Sequence, residues 1–346
     1  MKTKGYAAQS ADQPLAPFEF ERRNPGDRDV TIAIEFCGIC HSDIHFSRNE
    51  WNFTTYPCVP GHEIIGRVTK AGKGVSKFKE GDRVGVGCLV GACRKCGSCR
   101  EGLENYCENG FTMTYGSMDA DGKTPTFGGY STQIVVDEHF VLRIPDGLDP
   151  AGAAPLLCAG ITTYSPLRHV GVKRGDRVAI MGLGGLGHMG VKLAASFGAE
   201  VTVLSRSPHK EQDAMRLGAQ EFVLARDAAD LGKLANRFDC ILDTVSAKHD
   251  IASALSCLKR DGTLVMVGAS PVPLDLPVFP LILGRRKILG SLIGGLQETQ
   301  DMLDHCGDHG IVSDIETITP DRINEAYERT LNADVKYRFV IDCSKF

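Results

Sequence analysis

Along residues 29–40, 63–72, 81–87 and 130–138, apolar β-formers alternate with polar or charged positions and are cut short by Gly, Asp and Lys. A period of two predicts short, half-buried strands joined by turns, here an antiparallel, mainly β, partly barrel-like region. From about residue 153 the pattern changes. Apolar runs at 176–182, 201–205, 221–225, 239–245 and 263–268 are separated by helical-period stretches at 187–198, 210–217 and 252–259. Apolar strands alternating with helices predict an α/β domain built on a doubly wound parallel sheet, covered on both faces by its crossover helices. Past residue 281 the chain predicts one more strand at 286–295, a helix at 298–309 and a closing strand at 337–344 that returns to the first region. With 346 residues, the chain exceeds the size at which one core usually stops growing. The expected division is residues 1–157 with 283–346 as one domain and 158–282 as the other.

Composition narrows the partners. The net charge is −4 and the pI about 6.2, so bulk electrostatics point to neither nucleic acid nor an anionic membrane surface, and small molecules are the expected partners. No uninterrupted apolar stretch reaches membrane-spanning length, and residues 1–18 lack the apolar block of a secretory signal, so a cytoplasmic location is expected. The thirteen cysteines then read as reduced thiols and metal ligands rather than a disulfide framework.

Four of those cysteines form a cluster. Cys93, Cys96, Cys99 and Cys107 follow the spacing C-x2-C-x2-C-x7-C in a segment of glycine, charge and short polar residues with no hydrophobic period. Such spacing suits a structural zinc closed by four thiolates, which would hold a lobe that no core could hold. An iron-sulfur cluster would also accept four thiolates, but the spacing fits neither common ferredoxin pattern.

A second local signal opens the α/β region. Gly182, Gly184, Gly185, Leu186 and Gly187 complete a G-x-G-x-x-G turn that directly follows an apolar strand and precedes a helix, the context in which this pattern binds a dinucleotide pyrophosphate. At the end of the next strand an NAD site would carry a carboxylate for the ribose hydroxyls. Here Ser205, Arg206 and Ser207, with Lys210 beyond, offer hydroxyls and two cations. That set suits a 2′-phosphate, and the expected cofactor is NADP(H).

The remaining metal-type residues are ambiguous singly: Cys37, Cys40 and His45 in residues 37–45, His62 and Glu63 after Gly61, and Cys158 just before the α/β region. In combination the chain resembles the zinc-dependent medium-chain alcohol dehydrogenases, in their NADP-dependent cinnamyl alcohol dehydrogenase-like branch. The resemblance spans essentially all residues and rests on 37–45, 59–68, 81–87, the cysteine lobe, 128–136, 155–167, 182–194 and 335–342.

The resemblance implies a GroES-like catalytic domain beside the Rossmann domain and two zinc ions per subunit. It implies that Cys40, His62 and Cys158 ligate the catalytic zinc, leaving a fourth position for water or substrate, with Glu63 an alternative occupant at rest and Cys37 a packing residue. It further implies a proton relay from Ser42 through cofactor ribose to His45, and Asp43 behind His62 as orienting carboxylate. Thr163 and Arg338 would lie near the cofactor, and Phe46, Trp51 and Cys88 along the substrate pocket. The reaction would be hydride transfer between NADP(H) and a primary alcohol or aldehyde, aromatic or medium aliphatic, in a homodimer or homotetramer. A polyol or amino-acid dehydrogenase of the same superfamily is the alternative enzyme. A zinc-bearing binding protein is the alternative class, disfavoured by the acidic net charge.

Overall fold

The computed structural model describes residues 1–119, 121–270 and 272–346. It contains two units, Met1–Cys158 with Gly294–Phe346, and Ala159–Ile293. The second unit runs to Ile293 rather than to 282 because the segment after residue 284 adds a strand to the parallel sheet.

In the first unit the alternating segments form β1 (Asp29–Gly38), β2 (Ile64–Ala71), β3 (Arg83–Val86), β4 (Gln133–Asp137) and β5 (Leu142–Arg143). Val30, Ile32 and Ile34 of β1 bury the alternate positions that the period of two singled out. β1 is the hub. It pairs antiparallel with β2, with β4, and with the closing strand Arg338–Asp342, itself parallel to Ile315–Ile318. β2 continues to β3 and β3 to β5. Among the described residues no ladder joins β4 to β5, so strand pairing describes a branched sheet without barrel closure.

Three features of this sheet position the site. The β1 to β2 register shifts between Ile34 and Phe36, leaving Glu35 as an extra residue that bends the end of β1. Cys37 pairs with Ile64, and the Gly38 N–H donates to the Glu63 carbonyl at 3.0 Å, so the last residues of β1 lie beside the residues that precede β2. The closing strand meets the same end of β1, with the Ile39 N–H donating to the Phe339 carbonyl at 2.9 Å. Helix α1 (His41–Ser47) starts where β1 ends.

In the second unit α2 (Ala159–His169) leads to β6 (Arg177–Met181), β7 (Glu200–Ser205), β8 (Glu221–Leu224), β9 (Phe238–Asp243), β10 (Leu258–Met266) and β11 (Lys287–Gly290). All neighbouring pairs are parallel, in the order β8-β7-β6-β9-β10-β11. Val178, Ala179 and Ile180 are fully buried, as a central strand covered on both faces requires. Helices α3 (Gly187–Ser196), α4 (Glu211–Leu217), α5 (Ala228–Gly232) and α6 (Ile251–Cys257) make the crossovers, and α7 (Phe279–Gly284) precedes β11. The expected helix over 252–259 stops at Cys257, where Leu258 pairs with Phe238 and starts β10. Strand order reverses between β6 and β9, the switch point at which open α/β sheets bind ligands. Among the described residues no helix is long and apolar enough to cross a membrane.

Candidate metal and dinucleotide sites

The bend at the end of β1, the turn before β2 and the 3-10 turn Ala154–Leu157 bring together four potential donors. The ligating atoms of Cys40, His62, Glu63 and Cys158 all lie within 4.8 Å of one another, and Cys40 Sγ is 4.0 Å from Cys158 Sγ. His62 and Cys158 are buried and Glu63 is fully so. The thiol of Cys40 is held well below its ordinary value by its hydrogen bond with Cys158, aided by the positive charge of Arg338. Burial pushes the Glu63 carboxyl up to about 7 against the pull of Arg338, with which it forms a buried ion pair. Glu63 Oε2 has no hydrogen-bond partner among the described residues. An orphaned carboxylate oxygen among two sulfurs and an imidazole is a donor set that a bound divalent cation would satisfy.

Asp43 ties this cluster to α1. Its Oδ2 accepts the Cys40 N–H at 2.8 Å as the capping carboxylate of the helix, and the Tyr130 hydroxyl at 3.1 Å. Its Oδ1 accepts the Gly61 N–H and lies 3.1 Å from His62 Nδ1. Nδ1 is thereby occupied and Nε2 is the nitrogen left for a metal. Tyr115 packs its ring 5.7 Å from that of His62. Neither tyrosine was legible in the sequence, because each comes from a loop remote from both β1 and β2.

Ser42 and His45 sit one turn apart on the same face of α1. His45 Nδ1 is 2.5 Å from Glu50 Oε2, a partner that sequence reasoning missed, and its ring lies 5.5 Å from that of Trp51. Phe46 is turned into a small apolar cluster with Cys58 and Tyr115, while Trp51 stacks on Phe53 and is 40% exposed. Cys88 Sγ donates to the Leu157 carbonyl at 3.7 Å, next to Cys158. Cys37 is buried, and burial raises its thiol well above the usual range.

The cysteine lobe is a second cluster. The sulfurs of Cys93, Cys96, Cys99 and Cys107 lie within 4.8 Å of one another, with Cys93 to Cys99 at 3.9 Å and Cys96 to Cys107 at 4.0 Å. A tetrahedron with metal–sulfur bonds of about 2.3 Å has edges of about 3.8 Å, so the four thiols fit zinc. The Asn109 amide donates to Cys93 Sγ at 3.3 Å.

In the second unit the glycine turn closes the end of β6. Gly182 has φ +91°, and a Cβ on Gly187 would fall 2.1 Å from the Gly182 carbonyl oxygen, so both positions need glycine. A Cβ on Gly184 would meet nothing within 4 Å, the open side from which an anion can reach the backbone. No side chain caps the start of α3, where an anion can bind, although the His188 N–H already donates to the Gly184 carbonyl at 3.0 Å. The turn borders a cavity of about 360 Å³ whose lining includes Ser205, Arg206, Ser207 and Lys210. Lys210 Nζ donates to the Leu183 carbonyl at 2.7 Å, linking the end of β7 to the glycine turn.

The cavity wall also contains Arg226, Lys248 and His249, which the sequence patterns did not single out. Thr163 spends its hydroxyl within α2 on the Ala159 and Gly160 carbonyls. Arg338 is buried in the first unit with Glu63, and its Nε has no partner among the described residues.

Comparison with known proteins agrees with this chemistry. Residues 26–146 match the alcohol dehydrogenase GroES-like domain family and residues 185–308 the zinc-binding dehydrogenase family. A probable mannitol dehydrogenase of Fragaria ananassa is 54% identical over 343 residues, 99% of this chain and 95% of that protein. The NADP-dependent alcohol dehydrogenase C 1 of Mycolicibacterium smegmatis is 56% identical over 338 residues, 97% of each chain. A cinnamyl alcohol dehydrogenase structure from Sorghum bicolor superposes with a TM-score of 0.96 at 47% identity, covering 99% of this chain and 98% of that one.

Proposed function

Because the chain belongs to the zinc-dependent medium-chain alcohol dehydrogenases and is akin to their cinnamyl alcohol dehydrogenase branch, we propose that it interconverts alcohols and aldehydes with NADP(H) as hydride carrier. Its preferred substrates are aromatic or medium aliphatic primary alcohols and their aldehydes. The observation that carries this reading is the convergence of Cys40, His62 and Cys158 on one buried point with Glu63 Oε2 left unsatisfied beside them.

When bound, zinc at these residues supplies a Lewis acid for the substrate oxygen, and NADP(H) supplies or accepts the hydride. The protein's own groups do the rest. Asp43 fixes the His62 tautomer through Nδ1, so that the imidazole presents Nε2. The Ser42 hydroxyl, able both to donate and to accept, passes a proton toward His45. Glu50 holds His45 Nδ1, which makes Nε2 the atom that exchanges the proton with solvent. A zinc ion in the cysteine lobe acts structurally, fixing residues 93–107 where no core does. The hydroxyls of Ser205 and Ser207 with Arg206 and Lys210 receive the 2′-phosphate.

The finer statements follow from the surface and the thiols. Strand β11 is an edge of its sheet, and α7 beside it leaves Phe279, Ile282 and Leu283 exposed at 74%, 67% and 82%. An open row of backbone donors next to an apolar helix suits pairing with a second copy about a two-fold axis, giving a homodimer. Leu283→Glu then converts the dimer to monomer by sedimentation, and a tetramer in the parent protein would add a further interface. The thirteen cysteines, none in a disulfide, suit a cytoplasmic setting.

The test is a panel of aromatic and aliphatic aldehydes, their alcohols, polyols and amino acids with each nicotinamide cofactor, followed by nicotinamide absorbance. Aldehyde reduction preferring NADPH supports the reading. Mannitol or another polyol oxidised faster than any simple alcohol would replace it with the polyol reading, which the strawberry relative's name favours. No turnover at all, with a salt-sensitive nucleic-acid shift instead, would favour a binding protein.

A further inference from the structure

The ends of β7 and β8 bring two arginines to the lining of one cavity. Ser205 is in register with Leu224, and the Ala225 N–H donates to the Ser205 carbonyl at 2.9 Å, so Arg206 lies one residue and Arg226 two residues beyond the last pair of the ladder. Adjacent strands are about 4.8 Å apart, so the two side chains leave neighbouring strand ends beside one cavity, whose lining includes both. Two cations lining one cavity repel each other unless an anion lies between them.

Among the described residues no hydrogen bond or ion pair places one carboxylate on both guanidinium groups. The carboxylates lining the cavity near these strand ends are committed elsewhere: Asp227 caps α5 by accepting the Ala229 and Asp230 N–H groups, and Asp250 caps α6 by accepting from Ser253. Asp230 holds Arg226 by one edge. Its Oδ2 accepts Arg226 Nε at 3.0 Å and the Arg226 backbone N–H at 3.2 Å. Asp230 is itself shared with Lys233 at 2.9 Å. Arg226 Nη1 and Nη2 have no protein partner among the described residues, and the side chain is 63% exposed. The guanidinium is thus anchored at Nε with its two-pronged end free.

We propose that Arg226 is a further cofactor-selectivity residue, its free Nη groups binding the 2′-phosphate opposite Arg206. This rests on the NADP(H) reading. Lys248, which also lines the cavity, follows β9 on the other side of β6, remote from this strand pair in the sheet order, and is excluded from the assignment. A guanidinium suits the role because its planar fork matches phosphate oxygens in pairs.

The test uses the full-length protein, adenosine 2′,5′-bisphosphate and 5′-AMP as probes, and calorimetry at one fixed salt concentration. Arg226→Gln is expected to weaken adenosine 2′,5′-bisphosphate by about tenfold or more, the scale of one charge-assisted contact, while 5′-AMP stays within about twofold. Arg226→Lys is expected to fall between the two, keeping the charge and losing the fork. In turnover, Arg226→Gln should raise KM for NADPH and leave kcat and KM for NADH unchanged. Unchanged bisphosphate binding in Arg226→Gln overturns the proposal. Equal weakening of both nucleotides also overturns it, assigning Arg226 to the adenine ring instead. Parent protein that binds 5′-AMP as tightly as the bisphosphate overturns it together with the NADP(H) reading.

Discussion

Asp43 Oδ1 lies 3.1 Å from His62 Nδ1, with Asp43 fully buried, so one carboxylate both caps α1 and orients a metal-ligating imidazole. Asp43→Asn keeps the shape and loses the charge. The expected result is a metal affinity at Cys40, His62 and Cys158 that falls about 10- to 100-fold while the cysteine lobe keeps its zinc. Metal analysis after dialysis against a weak chelator checks this, and two equivalents retained per subunit would refute it.

Removing a ligand of the lobe should act differently. Cys99→Ser takes one thiolate from a segment whose regular structure is limited to one short helix, Gly97–Arg100, one 3-10 turn, Glu104–Tyr106, and the short strand Leu89–Gly91 nearby. Loss of one zinc equivalent and a lower Tm are expected, with the catalytic metal retained. Differential scanning calorimetry with paired metal analysis measures both.

His45 is predicted to serve proton transfer and not metal binding. His45→Ala should slow turnover with both zinc equivalents in place. Glu50→Gln, which leaves the imidazole but weakens its hold on Nδ1, should show a smaller loss and an altered pH profile of kcat. Zinc loss in His45→Ala would contradict the assignment.

The second unit contains a titrating pair away from the metal residues. The hydrogen bond that the His249 imidazole donates to Asp243 raises it above its ordinary value, opposed by partial burial and helped by the Ala247 carbonyl and Asp250, with Lys248 the neighbouring cation. A raised folded-state value means the protonated form is stabilised by folding. That contribution is fully present below the unfolded value of about 6.5 and is lost as pH rises through the elevated folded value. His249→Gln should therefore cost stability at pH 6 and less at alkaline pH. Urea titrations across that range would disprove the pairing if the cost were the same throughout.

Local physics made part of this protein readable from sequence alone. The cysteine spacing and the glycine turn are each complete within a few residues, because a thiolate cluster and a pyrophosphate loop impose their geometry on neighbouring backbone. The period-two and helical patterns likewise gave a mainly β region and a parallel α/β region, since burial on one or both faces is written into each strand. The family was legible through residues 37–45 and 155–167 taken together.

Tertiary structure decided what depends on register and on remote segments. A bulge at Glu35 and the pairing of Cys37 with Ile64 bring Cys40 beside His62, while Tyr130 reaches Asp43 from another loop. The pairing of β7 with β8 brings Arg226 to the cavity that Arg206 lines, across twenty residues of chain. The extra strand β11 carries the second unit to Ile293, and packing against Tyr115 turns Phe46 inward. None of these is a local preference. Each follows from which hydrogen-bonded register lets both strands bury their apolar faces, and that choice is made only when the whole sheet assembles.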